Sequence, residues 1–147
     1  MNFQTNLDMI EWRVHLASSP EKVFLMLSTD EGRRSFWAES AIENNGTIQF
    51  HFPNGQKWDA KIIDNVPPQR FSLIYYGGSL TTFILQNDSH GGTDLTLQDK
   101  VLDTTSVTEI IAGWVSVLMA LKAAVDYNVD LRNHDKSRTW QHGYVEN

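Results

Sequence analysis

From Ser106 to about Leu131 the chain sets Val107, Ile110, Ile111, Trp114, Val117, Leu118, Leu121, Ala124, Val125 and Asn128 at three- and four-residue spacing. That spacing puts them on one face of a 3.6-residue helix, and a face of this size needs a large apolar surface to lie on. Ser106 with Glu109 fits a capping box, in which the Ser oxygen accepts from the N3 amide and the Glu reaches back to the N-cap amide. No helix breaker follows until Asn133. Short strands precede this helix, so the pattern predicts a curved sheet wrapped round one long helix, a shape able to enclose a ligand cavity.

The strands are legible from their period. Ile10, Trp12, Val14 and Leu16 alternate with Met9, Glu11, Arg13 and His15, which reads as a half-buried strand. Ser18-Ser19-Pro20-Glu21 ends it and starts a helix: Ser19 caps, Pro20 suits N1 where its missing amide costs nothing, and Glu21 complements the positive end. Val23, Phe24 and Leu27 form its buried stripe, and Thr29-Asp30-Glu31 opens a second short helix that finishes at Phe36-Trp37. From Glu39 to Leu102 the chain becomes strands punctuated by Asn44-Asn45-Gly46, Pro53-Asn54-Gly55, Pro67-Pro68, Gly77-Gly78 and Ser89-His90-Gly91-Gly92. These connections are too short for parallel crossovers, so neighbouring strands pair antiparallel.

A chain of 147 residues fits one domain, and a domain of this size buries roughly 68–70% of its unfolded surface. The net charge of −6 gives no electrostatic footprint for nucleic acid. There is no cysteine, which removes disulfides and thiolate chemistry, and the polar start MNFQTNLDMI lacks a signal-peptide core, so the expected home is the cytoplasm. The uncharged run of the final helix, Ile110 to Leu121, is short of the ~20 apolar residues of a membrane span, and no membrane partner is expected. The five histidines do not cluster: His15 alternates with a buried face, His51 lies beside a turn, and His134 and His142 sit in the tail without metal spacing. No metal and no cofactor are expected, and no catalytic or dinucleotide motif is present.

Several segments together resemble a known family. They are SSPEKVF leading into the first helix, TDEGRRSFW, NGQKWDAKIIDNVPPQRFSLIY around a double proline, GGTDLTL, and GWVSVLMALKAAVDYNVDL in the final helix. In this order and spacing they resemble the START-like (SRPBCC) superfamily, and more closely the family related to the activator of heat-shock-protein 90 ATPase. The resemblance implies an α+β helix-grip fold: a curved antiparallel sheet of six or seven strands round a long C-terminal helix, with two short helices after the first strand. One START-like domain then covers residues 1–147, with 133–147 as a tail that is either loose or pinned by Trp140, Tyr144 and Val145. Such proteins bind diverse ligands and partners without a shared catalytic motif, so no catalytic residue carries over.

The aromatic set Trp12, Phe36, Trp37, Phe50, Trp58, Tyr75, Phe83 and Trp114 either lines a cavity for a flat or lipid-like ligand or fills the core. Trp58, Ala60 and Ile62 share a strand face, with Trp114 opposite. Leu97 and Leu118 complete the expected ligand-binding set together with Asp99. With Leu95, Leu97 and Val101 facing the helix, period two turns Asp99 inward, where a lone carboxylate must be hydrogen-bonded, neutralised or solvated; a β-bulge near the strand end would turn it outward. Ala112, Gly113, Ser116, Ala120 and Ala123 make a small-residue face suited to close packing or a homodimer contact, and Glu109, Lys122, Asp126 and Asp130 mark the helix's solvent side. The expected function is non-catalytic binding of a hydrophobic or aromatic small molecule between sheet and helix. Two alternatives stand beside it, a chaperone-associated interaction role and a cavity enzyme such as a cyclase or hydrolase.

Overall fold

The computed structural model describes residues 8–147; the polar start before Asp8 lies outside the described residues. The strands are β1 (Met9–Leu16), β2 (Ser40–Asn44), β3 (Thr47–His51), β4 (Lys57–Val66), β5 (Arg70–Ile74), β6 (Leu80–Asn87) and β7 (Thr93–Lys100), and the helices are α1 (Pro20–Ser28), α2 (Asp30–Phe36) and α3 (Val107–Tyr127). The seven strands form one antiparallel sheet in the order β1-β7-β6-β5-β4-β3-β2. This curved sheet closes on α3, which is the helix-grip arrangement the sequence implies.

Local chemistry explains the elements. Ser19 accepts from the Lys22 amide ahead of Pro20, and Thr29 accepts from the Gly32 amide to start α2. At Gly32 a Cβ would meet Leu25 O at 2.5 Å and Met26 Cα at 2.6 Å, so only glycine lets the two short helices approach this closely. Arg33 next to it is fully buried. Its guanidinium donates to Ala41 O at 3.0 Å, Leu27 O at 2.9 Å and Asp30 Oδ1 at 2.5 Å, joining α1, α2 and β2. Burial lowers its pKa, with the charges of Asp30 and Glu43 opposing.

The core lies between the inner sheet face and α3. Leu95 and Leu97 of β7, Phe71 and Leu73 of β5 and Phe83 of β6 are fully buried beneath Trp114, Leu118, Leu121 and Val125 of α3. By length and composition alone α3 would cross a bilayer, a property shared by core helices. The register of β7 with both neighbours runs unbroken through Lys100, so no bulge intervenes at Asp99; the break in the sheet is between Ile62 and Asp64 of β4.

Three expectations are corrected at the ends and sides of α3. The helix stops at Tyr127, not near Leu131, because Asn128 takes a left-handed conformation (φ 54°) and its amide closes the last turn on Ala123 and Ala124. Ser106 makes no capping bond; the turn before α3 is held by Asp103, which accepts from the Thr105 amide, and Glu109 instead accepts from Trp140. Asp126 is not a solvent-side charge. Its side chain is 2% exposed, and it accepts from the Ala17 and Ser18 amides, the Ser18 hydroxyl and Lys122. Burial works against its charge, but these donors outweigh burial and hold its carboxyl below the usual range.

Candidate functional site

Asp99 sits directly opposite Thr81 in the β6–β7 register, and Trp114 comes down on it from α3. Thr81 Oγ1 donates to Asp99 Oδ1 at 2.8 Å and Trp114 Nε1 donates to Asp99 Oδ2 at 2.8 Å. Asp99 is 2% exposed. The period of β7 therefore wins over the bulge, and each oxygen of the inward carboxylate accepts from one neutral donor.

Around this pair lies a cavity of about 420 Å³ between β4, the Tyr76 turn, α3 and the C-terminal tail. Its deep wall is aromatic. Trp37, which ends α2, lies 5.5 Å from Tyr75 and 6.1 Å from Trp114 between ring centroids, and Tyr75 lies 5.5 Å from Trp114. Trp58 of β4 continues the wall, 5.7 Å from Tyr75, 4.3 Å from Phe52 and 4.7 Å from Tyr76. Such offset and edge-on pairs hold the rings in fixed poses. The helix side is Ile110, Gly113 and Val117. A Cβ at Gly113 would meet nothing within 4 Å, so the small-residue face of α3 here borders open space rather than a packed neighbour.

Two polar groups in the wall are distinctive. Tyr75 Oη accepts from Trp37 Nε1 at 3.0 Å. The Tyr75 ring is half-buried because one side faces the cavity, yet its hydroxyl lies deep among protein atoms. Burial raises its pKa, Asp99 adds to the rise, and the Trp37 and Trp58 indoles oppose it, so the phenol stays neutral at physiological pH. Trp58 Nε1 is buried and points toward the Tyr75 hydroxyl without reaching good hydrogen-bond geometry. A buried indole donor so poorly paired is unusual in a native fold.

The tail after α3 is pinned, not loose. Trp140 Nε1 donates to Glu109 Oε1 at 3.1 Å, Ser116 Oγ donates to Val145 O, and Asn54 Nδ2 donates to Gln141 Oε1 at 2.8 Å. These bonds carry the tail across the cavity mouth from α3 to the β3–β4 turn. Nearer α3, Arg132 donates to Ala38 O and Arg34 O, and His134 bridges Glu39 at 2.6 Å and Asp130 at 2.7 Å. Behind the tail a second space of about 530 Å³ runs along Val115, Met119, Leu131 and Val145.

Of the residues expected at the site, Trp37, Trp58, Tyr75, Asp99 and Trp114 are brought together on the cavity. Phe50, Phe83, Leu97 and Leu118 lie in the core, with Phe50 tilted and Phe83 edge-on against Trp37. Phe36 borders the second space, and Trp12 bonds Ile111 O at 3.2 Å at another part of α3. Sequence reasoning passed over Phe52, Ile110, Trp140 and Gln141 as lining residues. A lone tryptophan in a polar tail was the available signal for Trp140. No group of three or more His, Asp or Glu able to hold a metal occurs among the described residues.

Comparisons with known proteins agree with this architecture. Residues 17–126 match the sequence model of the family described as Activator of Hsp90 ATPase homolog 1-like protein. Among solved structures, the Aha1 dimer from Colwellia psychrerythraea is similar with a TM-score of 0.72 at 24% identity, over 81% of this chain and 96% of that one. A protein from Staphylococcus saprophyticus is similar with a TM-score of 0.72 at 23% identity, over 84% of this chain and 96% of that one. An AHSA1-like protein from Aeromonas hydrophila gives 0.71 at 15% identity, over 82% and 93%. At these identities the likeness is one of fold. No curated protein matches the sequence significantly.

Proposed function

The chain belongs to the Activator of Hsp90 ATPase homolog 1-like family, and from that premise we propose that it binds an aromatic or otherwise hydrophobic small molecule in the cavity between sheet and α3, without catalysing a reaction. A volume of about 420 Å³ is of the size that small ligands occupy. The observation that carries the reading is the aromatic cavity itself, with Trp58 Nε1 on its wall as a buried donor that is poorly paired among the described residues. A ligand acceptor atom there would remove the cost of leaving that donor poorly paired. Native mass spectrometry of protein purified from its host, with a thermal-shift screen of aromatic and acyl compounds, tests it. The expected result is a co-purifying small molecule or a ligand-dependent rise in melting temperature. Neither mass adduct nor shift across the screen would sink the reading.

A second reading, a protein-contact role, is favoured by one observation. Val115, Met119, Leu131 and Val145 are all more than two-fifths exposed and lie along the second space. Light scattering on the wild type and on Met119→Glu separates the two: a larger species abolished by the substitution supports contact with a second copy, and a monomer in both cases leaves the cavity as the functional feature.

A further inference from the structure

The lining of the cavity has a charge sign. Among the described residues it includes two carboxylates, Asp99 deep inside and Glu109 at the tail side, and no Lys, Arg or His. Asp99 receives only neutral donors, Thr81 Oγ1 and Trp114 Nε1, and forms no ion pair among the described residues. A carboxylate offers about four lone-pair sites, so two donors leave about half of its accepting capacity unused. Burying a charge without an opposite one is costly, and a cationic donor reaching it would form the stronger, charge-assisted kind of hydrogen bond.

The walls suit a cation as well. Trp37, Trp58, Tyr75 and Trp114 surround the approach to Asp99, and their ring faces attract positive charge, tryptophan most strongly. Tyr75 remains a neutral phenol, so it adds a ring face and no competing charge. The net charge of −6 draws cations toward the protein as a whole. The poorly paired Trp58 Nε1 favours one ligand acceptor atom, such as an ether, carbonyl or hydroxyl oxygen.

We infer that the cavity is selective for a protonated amine on an aromatic body, with the ammonium donating to Asp99 and the ring held against Trp58 and Tyr75. The inference rests on the cavity-binding reading and names its ligand class. An anionic aromatic, by contrast, would bring its carboxylate against that of Asp99.

A matched panel tests it by isothermal titration at neutral pH: 2-naphthylmethylamine as the cation, 2-naphthylmethanol as the neutral analogue, and 2-naphthoate as the anion. The amine is expected to bind at least about tenfold more tightly than the alcohol, and the carboxylate most weakly. Asp99→Asn is expected to bring amine and alcohol to similar affinity. The wild-type panel decides the matter even where that variant fails to fold. Alcohol binding as tightly as amine, or carboxylate binding best, overturns the cation assignment and leaves cavity binding standing. No binding by any of the three overturns both.

Discussion

The indole of Trp114 and the carboxylate of Asp99 meet at 2.8 Å inside the domain, tying the middle of α3 to the end of β7. Both residues are largely shielded from bulk solvent, so water competes poorly for the bond. Trp114→Phe keeps most of the ring and removes the donor, leaving Asp99 with Thr81 alone. It is expected to cost about 1–3 kcal/mol in urea unfolding, the price of an orphaned buried acceptor. Trp114→Ala removes the ring too and should cost about 3–5 kcal/mol. A Phe variant as stable as the wild type would mean that the bond contributes nothing.

Arg33 gives a second stability test. Arg33→Met conserves most of the volume but strips donors from the buried carbonyls of Leu27 and Ala41. The expected loss is about 1–3 kcal/mol for each carbonyl that water cannot reach. Equilibrium denaturation measures it, and a neutral result would show that both carbonyls are rehydrated.

Asp126 makes a prediction about acid. Its folded pKa is lowered, so its contribution is present above the ordinary aspartate value of about 3.9 and is lost as pH falls through the folded value. Asp126→Asn should therefore be less stable than wild type at neutral pH, and the difference should shrink as pH drops. Parallel unfolding curves at pH 7 and pH 3 check it. A gap that stays constant would remove the charge from the account.

His134 works in the opposite direction. Its bond to Asp130 raises its pKa, burial opposes, and Glu39 adds to the rise. The raised value means that its stabilisation of the tail is fully present below about 6.5 and is lost as pH climbs through the folded pKa. The imidazole must carry both protons to donate to both carboxylates. An NMR titration should give His134 a pKa above 6.5, falling in Glu39→Gln, with the protection of the tail amides, corrected for intrinsic exchange, lower at alkaline pH. An unshifted titration would contradict the bridge.

The sequence made the local elements readable because their causes are local. Ser19-Pro20, Thr29-Asp30 and the glycine turns each set their own backbone, while the alternation of β7 left Asp99 open between an inward position and a bulge until the unbroken register decided it. What it hid depends on contacts between distant residues. Asp126 looks like any solvated helix charge until the Ala17–Ser18 turn, more than a hundred positions away, folds over it. Glu109 is claimed by Trp140 instead of by its own helix start, and Arg33 has the sequence of a surface residue. In the candidate site the inward-facing strand aromatics were legible, whereas Phe52 and Trp140 join the cavity only through the path of a loop and the tail.

The five tryptophan indole N–H resonances offer the most direct test of the cavity itself. Trp37, Trp58, Trp114 and Trp140 line it, and Trp12, bonded to Ile111 O away from it, is an internal control. On titration with 2-naphthylmethylamine followed by ¹H–¹⁵N NMR, the Trp58 and Trp114 indole signals should shift in a saturable way while Trp12 stays in place. Saturating ligand that leaves Trp58 and Trp114 unmoved, or that moves only residues along Met119 and Val145, would contradict a ligand site between the sheet and α3.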